Sequence, residues 1–229
     1  MRRAAVLIAA LAPTLLLAGH ARSDAPRHDD ESAGQVDRPV RERTGHQRAG
    51  DTVLIGCGGN QRRITFAIDL VRPPGEAAAH LGVAEMRETV KDLRLGIQPF
   101  VVIANVSDGP KVFGGSCTLA ADRSTKRVAD RFLANLALPA AAVDPTPALR
   151  EAFGRPAHIV YVLVDHDWPD HAAVARDVIE RANQPWRRCK VNVVVYRGPG
   201  GAGVSEPMLA STRTIAEATG GRLRVVGAE

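Results

Sequence analysis

Two apolar segments of the chain are each followed by an aspartate. Residues 64–68 read Ile-Thr-Phe-Ala-Ile and precede Asp69, and residues 159–164 read Ile-Val-Tyr-Val-Leu-Val and precede Asp165. Continuous apolar runs of this length are typical of strands that are buried on both faces of a parallel sheet. Ligands of such sheets bind beyond the carboxyl ends of the strands, so the two aspartates converge on one site if their strands are neighbours.

The other segments alternate between strand and helix patterns, and this alternation predicts the fold class. Further strands are predicted at residues 99–106, 191–196 and 223–226, with a short antiparallel partner at 111–113, and helices at 76–93, 122–136, 170–183 and 206–219, with a smaller one introduced by Asp144. Alternating strands and helices form parallel βαβ units with right-handed crossovers. We therefore expect an α/β fold, a three-layer, doubly wound, mostly parallel sheet with one short antiparallel edge strand, Rossmann-like in outline.

Residues 1–21 have the pattern of a secretory signal peptide: a basic start, an apolar run from Ala4 to Ala18 and small residues at the exit. The run is shorter than the roughly 20 residues that a membrane span needs. We predict cleavage after about Ala21 and an exported protein, periplasmic or secreted, that has no membrane span after signal removal; an uncleaved anchor is the alternative. Residues 22–50 contain almost no large apolar side chain and are predicted to be a disordered linker, which leaves residues 51–229 as one folded domain.

Composition argues against nucleic acid as a partner and against a zinc site. The chain has 30 Lys and Arg against 25 Asp and Glu, a formal net charge of +5, and only 4% aromatic residues. Its basic pairs are scattered and are not interleaved with aromatic side chains, unlike the basic patches of nucleic-acid-binding proteins. Cys57, Cys117 and Cys189 lie far apart without the spacing of zinc ligands, and one disulfide with one leftover thiol is the expectation for an exported protein.

A glycine-rich segment matches a dinucleotide-binding pattern only formally. Residues 198–203 read Gly-Pro-Gly-Gly-Ala-Gly, which fits GxGxxG. However, the segment follows the penultimate strand instead of the first one, and Pro199 lacks a backbone N–H donor. We interpret it as a glycine-rich loop.

The loop from His166 to His171 contains two His and several Asp residues, which invites a hydrolase or metal-site interpretation. A simpler interpretation is a polar loop in which Asp170 caps the next helix, since Asp is a preferred N-cap residue. The chain contains no Gly-x-Ser-x-Gly motif, and Ser116, Ser205 and Ser211 have no evident base partner. Nucleophilic catalysis is therefore not favoured.

The order of elements over about residues 62–227 resembles the von Willebrand factor type A (vWA) domain, in a form found in exported bacterial proteins. Residues 144–153 are similar to the helix lead-in of that form and residues 215–222 to its final helix and turn. Residues 162–170, Val-Leu-Val-Asp-His-Asp-Trp-Pro-Asp, are similar to its Leu-Thr-Asp-Gly-Asp-Phe-Pro-Asp stretch. In complete members of this family a divalent cation occupies a metal-ion-dependent adhesion site and takes its last ligand from a carboxylate of the protein partner.

The resemblance implies a degenerate form of that site in this chain. Asp69 and Asp165 match the first and the late aspartate of the family's motif, but Val71 and Pro73 stand where the family has serines. Both hydroxyl ligands are therefore missing.

The threonine of the motif falls at Val143, with Thr146 as the alternative, and Asp144 and Asp167 are further candidate ligands on the same face. Mg²⁺ requires near-octahedral oxygen coordination at about 2.0–2.1 Å, so the two remaining aspartates are expected to bind it weakly at most. A strand-end aspartate can instead cap the next helix or accept backbone N–H groups without any metal.

We therefore expect an exported, non-catalytic vWA-like module that binds an unknown protein partner or scaffolds an assembly through its strand-end face. We expect no tightly bound metal and no other cofactor. The alternative is a metal- or nucleotide-dependent enzyme built on the same Rossmann-like sheet.

The resemblance also bears on the cysteines. In the family's strand order the strand before Cys117 lies four strand spacings, about 19 Å, from the strand after Cys189, whereas the Cα atoms of a disulfide lie within about 7 Å. If one disulfide forms, we expect it to contain Cys57, and we expect no bridge between Cys117 and Cys189.

Overall fold

A six-stranded sheet forms the centre of the computed structural model, which describes residues 63–72, 77–95, 97–115, 118–198 and 203–227. The strands are β1 (Ile64–Asp69), β2 (Phe100–Ala104), β3 (Lys111–Phe113), β4 (Ile159–Val164), β5 (Asn183–Gln184), β6 (Arg187–Arg188), β7 (Lys190–Arg197) and β8 (Leu223–Gly227). The predicted signal peptide and linker, Cys57, Cys117 and Pro73 lie outside the described residues.

The strand order of the sheet is β3-β2-β1-β4-β7-β8, and every pairing is parallel except that of β3 with β2. This confirms the predicted doubly wound α/β fold with its short antiparallel edge strand. β1 pairs directly with β4, in a register that runs from Ile64 opposite Ile159 to Asp69 opposite Val164. The two strands that end in aspartates are therefore neighbours, as the convergence of Asp69 and Asp165 requires.

The helices are α1 (Ala77–Asp92), α2 (Arg123–Ala134), α3 (Thr146–Gly154), α4 (His171–Ala182) and α5 (Glu206–Thr219). Side-chain oxygens of Asp122, Asp170 and Ser205 accept backbone N–H groups at the starts of α2, α4 and α5. Gly220 ends α5 in the left-handed conformation, with φ of 68°. Among the residues described, no helix has both the length and the apolarity that a membrane crossing requires.

Each face of the sheet buries its own apolar cluster because consecutive strand residues point to opposite sides. Phe66 and Tyr161, whose rings stack at 5.4 Å between centroids, belong to the cluster that α1 and α2 cover. Ala67 and Val162, their neighbours along the same strands, belong to the cluster that α3, α4 and α5 cover. Burial on both faces explains why β1 and β4 read as continuous apolar runs.

The hairpin of β5 and β6 differs from the sequence-based expectation, which extended the fourth helix to residue 183. α4 ends at Ala182, and residues 183–188 fold back on themselves so that Asn183 pairs with Arg188 and Gln184 with Arg187. Two-residue strands are too short to display an alternating pattern in the sequence.

Candidate functional site at the strand ends

The ends of β1, β2 and β4 bring three polar side chains to one edge of the sheet. Asp69 is the last residue of β1, Asp165 follows β4 and Asn105 follows β2, and all three are buried. The backbone N–H of Asn105 donates to the carbonyl of Ile68 at 2.8 Å, which holds the end of β2 against the end of β1. Sheet topology thus gathers residues that are far apart in the chain.

Both carboxylate oxygens of Asp69 accept hydrogen bonds from protein side chains. The Asn105 Nδ2 donates to Oδ1 at 2.8 Å, and the indole Nε1 of Trp168 donates to Oδ2 at 2.7 Å. Trp168 is only 2% exposed, so its ring both fills the core and satisfies a buried carboxylate. A buried carboxylate without such donors would be strongly destabilising.

Asp165 accepts a hydrogen bond from the loop that follows β1 and contacts His166, the next residue in the chain. The backbone N–H of Val71 donates to Oδ1 at 3.0 Å and to Oδ2 at 3.3 Å. The Nδ1 of His166 lies 3.1 Å from Oδ1 of Asp165, and its Nε2 lies 3.6 Å from Oδ2 of Asp69. Asp165 thus accepts a backbone N–H group without any metal, which is the alternative that the sequence left open for a strand-end aspartate. The imidazole of His166 lies between the two carboxylates.

The titration of this cluster reflects competition between burial and charge. Burial raises the pKa of Asp69, and this effect outweighs the opposing influence of His166, Asn105 and Trp168. Burial by itself would lower the pKa of His166, but its hydrogen bond to Asp165 and the charges of Asp69, Asp165 and Asp167 raise that pKa overall. Both directions mean that Asp69 and His166 hold their protons more firmly in the folded protein than they would in water.

This donor set does not fit a hard divalent cation. Such an ion needs several oxygen ligands, whereas the oxygens of Asp69 and Asp165 face N–H donors and an imidazole. Val71, at the position of a missing serine, contributes a backbone N–H donor here instead of an oxygen. Among the described residues, no group of three or more His, Cys, Asp or Glu side chains is arranged to hold a metal ion.

The carboxylates of the other predicted face residues accept backbone N–H groups from outside this cluster. The exposed Asp144 accepts the backbone N–H of Thr146 through Oδ1 at 2.9 Å, and its carbonyl accepts from Asn105 Nδ2 at 3.2 Å. The exposed Asp167 accepts the backbone N–H of Ser205 through Oδ1 at 2.8 Å. Val143 is half-buried at the same edge. Asp144 and Asp167 therefore organise loops, each through one carboxylate oxygen.

Sequence reasoning missed Asn105, His166 and Trp168 as partners of the two aspartates. The sequence held a signal for each: Asn105 directly follows β2, at the edge of the sheet where Asp69 ends β1. In the stretch that resembles the vWA domain, His166 and Trp168 stand where the family has glycine and phenylalanine. Each difference places a side chain with an N–H group where the family has a residue whose side chain has no hydrogen-bond donor.

The glycine-rich loop contacts the site through its last residue. Gly203 has φ of +101°, and a Cβ at that position would lie 2.6 Å from the backbone carbonyl oxygen of Asp165. Glycine is therefore required both for its conformation and for its closeness to the end of β4. The preceding residues 199–202 of this loop lie outside the described residues.

The sequence-based statement that Ser211 has no evident base partner was wrong. The Nδ1 of His171 lies 2.8 Å from the hydroxyl of Ser211, which joins the first residue of α4 to α5. The pair is half-buried and connects the two helices. We interpret it as a contact that packs α4 against α5.

No known protein-family profile matches the chain, and no curated protein matches it. Among solved structures, the chain is similar to the crystal structure of the SpRpn10 VWA domain, with 8% sequence identity over 73% of this chain and 89% of that chain. The TM-score is 0.48. At this identity and TM-score, the likeness carries no argument about function.

Proposed function

We propose that this chain is an exported, non-catalytic vWA-like module that binds a protein partner through its strand-end face without a tightly bound metal. The observation that supports the proposal most directly is the position of His166 between Asp69 and Asp165. The raised pKa of this imidazole favours its positively charged form at the place where the family that the sequence resembles uses a cation. The two aspartates then stabilise the loops of the strand-end face, and the partner binds to the exposed rim of that face.

The hydrogen-bond network makes this face rigid. Asn105 links the end of β2 to Asp69 and to the carbonyl of Asp144, Trp168 ties the β4–α4 loop to Asp69, and Asp165 holds the loop after β1. A surface that is already ordered loses less conformational entropy when a partner binds. This supports a role in recognition.

The exposed rim favours a partner that presents basic side chains. Asp144, Asp167 and Asp170 are exposed around the cluster, and each uses Oδ1 to accept a backbone N–H group. The hydrogen bond from Thr146 lowers the pKa of Asp144, so this side chain is anionic at neutral pH. Charges on such a rim steer association and select the partner more than they add affinity.

A site-specific photocrosslinking experiment in cells of the source organism tests this role. A photoreactive residue at Val143 on the strand-end face should give an adduct of defined mass, and the same residue at the exposed Arg127 on α2 should not. Asp144→Lys together with Asp167→Lys should abolish the adduct, because it reverses the charge of the rim. Addition of EDTA should leave the adduct unchanged; loss of the adduct with EDTA would contradict metal-independent binding.

The absence of tight cofactor binding is tested by calorimetric titration of the purified protein with Mg²⁺ and with nucleotides. Micromolar binding of either would favour the enzyme alternative. Mass spectrometry of the periplasmic or secreted protein tests export, and a mature chain that begins at Met1 would contradict it.

A further inference from the structure

The opposite end of the sheet carries a second surface of different chemistry. We call it the strand-start surface and define it by five exposed residues: Arg63, Trp186, Arg188, Lys190 and Arg222. Trp186 is 81% exposed, the largest value among the exposed large hydrophobic side chains of the described residues. An exposed indole is amphipathic, and its place in a group of exposed cations makes this edge a candidate binding surface.

Backbone contacts place the cations of this surface on adjacent strand starts. The N–H of Arg63 donates to Nδ1 of His158 at 3.0 Å, and the N–H of Lys190 donates to the carbonyl of His158 at 3.0 Å. The N–H of Arg222 donates to Oδ1 of Asn192 at 2.9 Å. Residues before β1, β4, β7 and β8 thus form one continuous edge.

The hairpin of β5 and β6 presents the indole beside these cations. Trp186 follows the exposed Pro185 in the turn, and Arg188 lies in the strand that leads back to the sheet. The N–H of Cys189 donates to the carbonyl of Ala182 at 3.0 Å and anchors the base of the hairpin to the end of α4. The indole therefore sits on a projecting turn and not in a groove.

Acidic residues at this end do not cancel the positive charge. The last turns of α4 and α5 contribute the exposed Glu180 and Glu217. α1 also ends on this side, where Asp92 is flanked by Lys91 and followed by the exposed Arg94. Among the described residues, cations therefore exceed anions at the strand starts, whereas the strand-end face exposes several aspartates together with Arg72 and Lys111.

We propose that the strand-start surface binds an anionic phospholipid surface, with the Trp186 indole in the headgroup region and the surrounding cations against lipid phosphates. Tryptophan is favoured at the boundary between lipid and water, and basic residues near an anionic bilayer add attraction. A projecting indole without a groove fits a flat, deformable surface better than it fits an extended peptide or a nucleic-acid strand. The proposal does not depend on the protein-binding role, but it would leave the acidic strand-end face turned away from the lipid.

Fluorescence of the full chain with lipid vesicles tests this. The chain has two tryptophans, and Trp168 is buried, so subtraction of the spectrum of Trp186→Phe isolates the emission of Trp186. Vesicles of mixed phosphatidylglycerol and phosphatidylcholine should shift that emission to the blue, and added salt should reverse the shift. This local signal is needed because the apolar run at residues 4–18 is itself capable of associating with vesicles of any charge.

The charge-reversal pair Arg188→Glu and Lys190→Glu should weaken vesicle binding, measured by the Trp186 shift, by at least about 25-fold, since loss of each cation near an anionic membrane costs roughly fivefold and the added carboxylates repel lipid phosphates. The matched control is Lys111→Glu with Arg127→Glu, which makes the same charge change at exposed residues of β3 and α2 and should bind as the wild type does. The Val143 photocrosslink should be unchanged in the first pair, which separates this proposal from the protein-binding role.

The proposal would be overturned by an unshifted Trp186 emission, by an equal shift with pure phosphatidylcholine, or by equal loss of binding in the control pair. The same shift with polyglutamate or single-stranded DNA in place of vesicles would identify a macromolecular partner and would also overturn the lipid assignment.

Discussion

His166 and Trp168 are the side chains that decide how the two strand-end aspartates behave. His166 lies 3.1 Å from Asp165 and 3.6 Å from Asp69, and Trp168 donates to Asp69 at 2.7 Å. Buried carboxylates are tolerated only when donors surround them, because desolvation of an ionised group is costly. These two residues therefore turn a potential ligand site into a structural network.

Replacement of Trp168 by phenylalanine should lower the free energy of unfolding by about 1–3 kcal/mol, the usual effect of removing one partner of a buried polar group. The phenyl ring retains most of the packing but cannot donate to Asp69. Urea unfolding measures the change. Trp186→Phe is the matched control, since an 81% exposed ring at a hairpin turn should leave the stability within about 0.5 kcal/mol. Equal stability of both variants would contradict a structural role for the indole.

The raised pKa of His166 predicts a specific pH dependence. Its stabilising contribution is fully present below the ordinary value of 6.5 and is lost as the pH rises through the higher folded-state pKa. The raised pKa of Asp69 acts in the same direction at lower pH, because stability from this group falls as the pH rises above 3.8.

Urea unfolding between about pH 6 and about pH 9 should therefore show stability that falls with pH, and His166→Gln should flatten this slope whatever its absolute stability. His158→Ala changes an exposed histidine at the other end of the sheet and should keep the slope. A wild-type slope that survives in His166→Gln would refute the assignment.

At the scale of elements, the loop between β4 and α4 carries most of the site. It contains Asp165, His166 and Trp168, and it ends at Asp170, which caps α4 by accepting the N–H of Ala173 at 2.9 Å. Gly203 packs against the backbone of Asp165 from the loop after β7. The loop is therefore held at its start, its middle and its end.

Gly203→Ala should destabilise the protein more than Gly109→Ala does. The two glycines have similar φ values, +101° and +98°, so alanine meets similar backbone strain of about 1–2 kcal/mol at each. At Gly109 the new Cβ meets nothing within 4 Å, whereas at Gly203 it would press on the Asp165 carbonyl at 2.6 Å. Urea unfolding measures the loss of stability in each variant, and the difference between the two losses is the steric part. Equal losses would show that the loop shifts freely to accommodate the new Cβ.

At the scale of the whole described domain, the sheet separates two buried aspartates at its strand ends from exposed cations at its strand starts. Asp69 and Asp165 lie at the carboxyl ends of β1 and β4, while Arg63 and Lys190 lie at the starts of β1 and β7. In a parallel sheet all strand ends of one kind share an edge, so residues placed after strands and residues placed before strands lie at opposite edges. The two proposed binding surfaces therefore lie at opposite edges of the sheet.

The affinity of the strand-end face for Mg²⁺ depends on residues from several loops together. The wild type should show no tight Mg²⁺ binding. Val71→Ser, Pro73→Ser and Val143→Thr add the family's hydroxyl oxygens and should increase the affinity. Adding His166→Gly, which restores the family's glycine, should increase it by about tenfold or more, since the imidazole–carboxylate hydrogen bond is worth roughly 1.5–3 kcal/mol.

Calorimetric titration of the wild type, the triple variant and the quadruple variant measures these steps. Asp165→Asn in the quadruple variant is the control and should remove the gain. A quadruple variant no better than the wild type would mean that the loops do not hold the geometry that the resemblance implies.

The chain itself determined the order and kind of its main elements. Apolar runs such as 64–68 and 159–164 predicted buried strands, and caps such as Asp170 predicted helix starts, because periodicity and capping depend on residues close in sequence. The same local patterns implied a parallel sheet with aspartates at two strand ends. They missed the hairpin at 183–188, which is too short to have a period.

Only the tertiary structure decided what those aspartates do. The donors to Asp69 come from positions 36 and 99 residues away, and the donor to Asp165 comes from 94 residues away. Which donors reach the two aspartates depends on which strands are neighbours and on their register, and no short segment of the chain specifies either. Strand order therefore decided between a ligand site and an internal hydrogen-bond network, because a buried carboxylate takes whichever donors the sheet brings within reach.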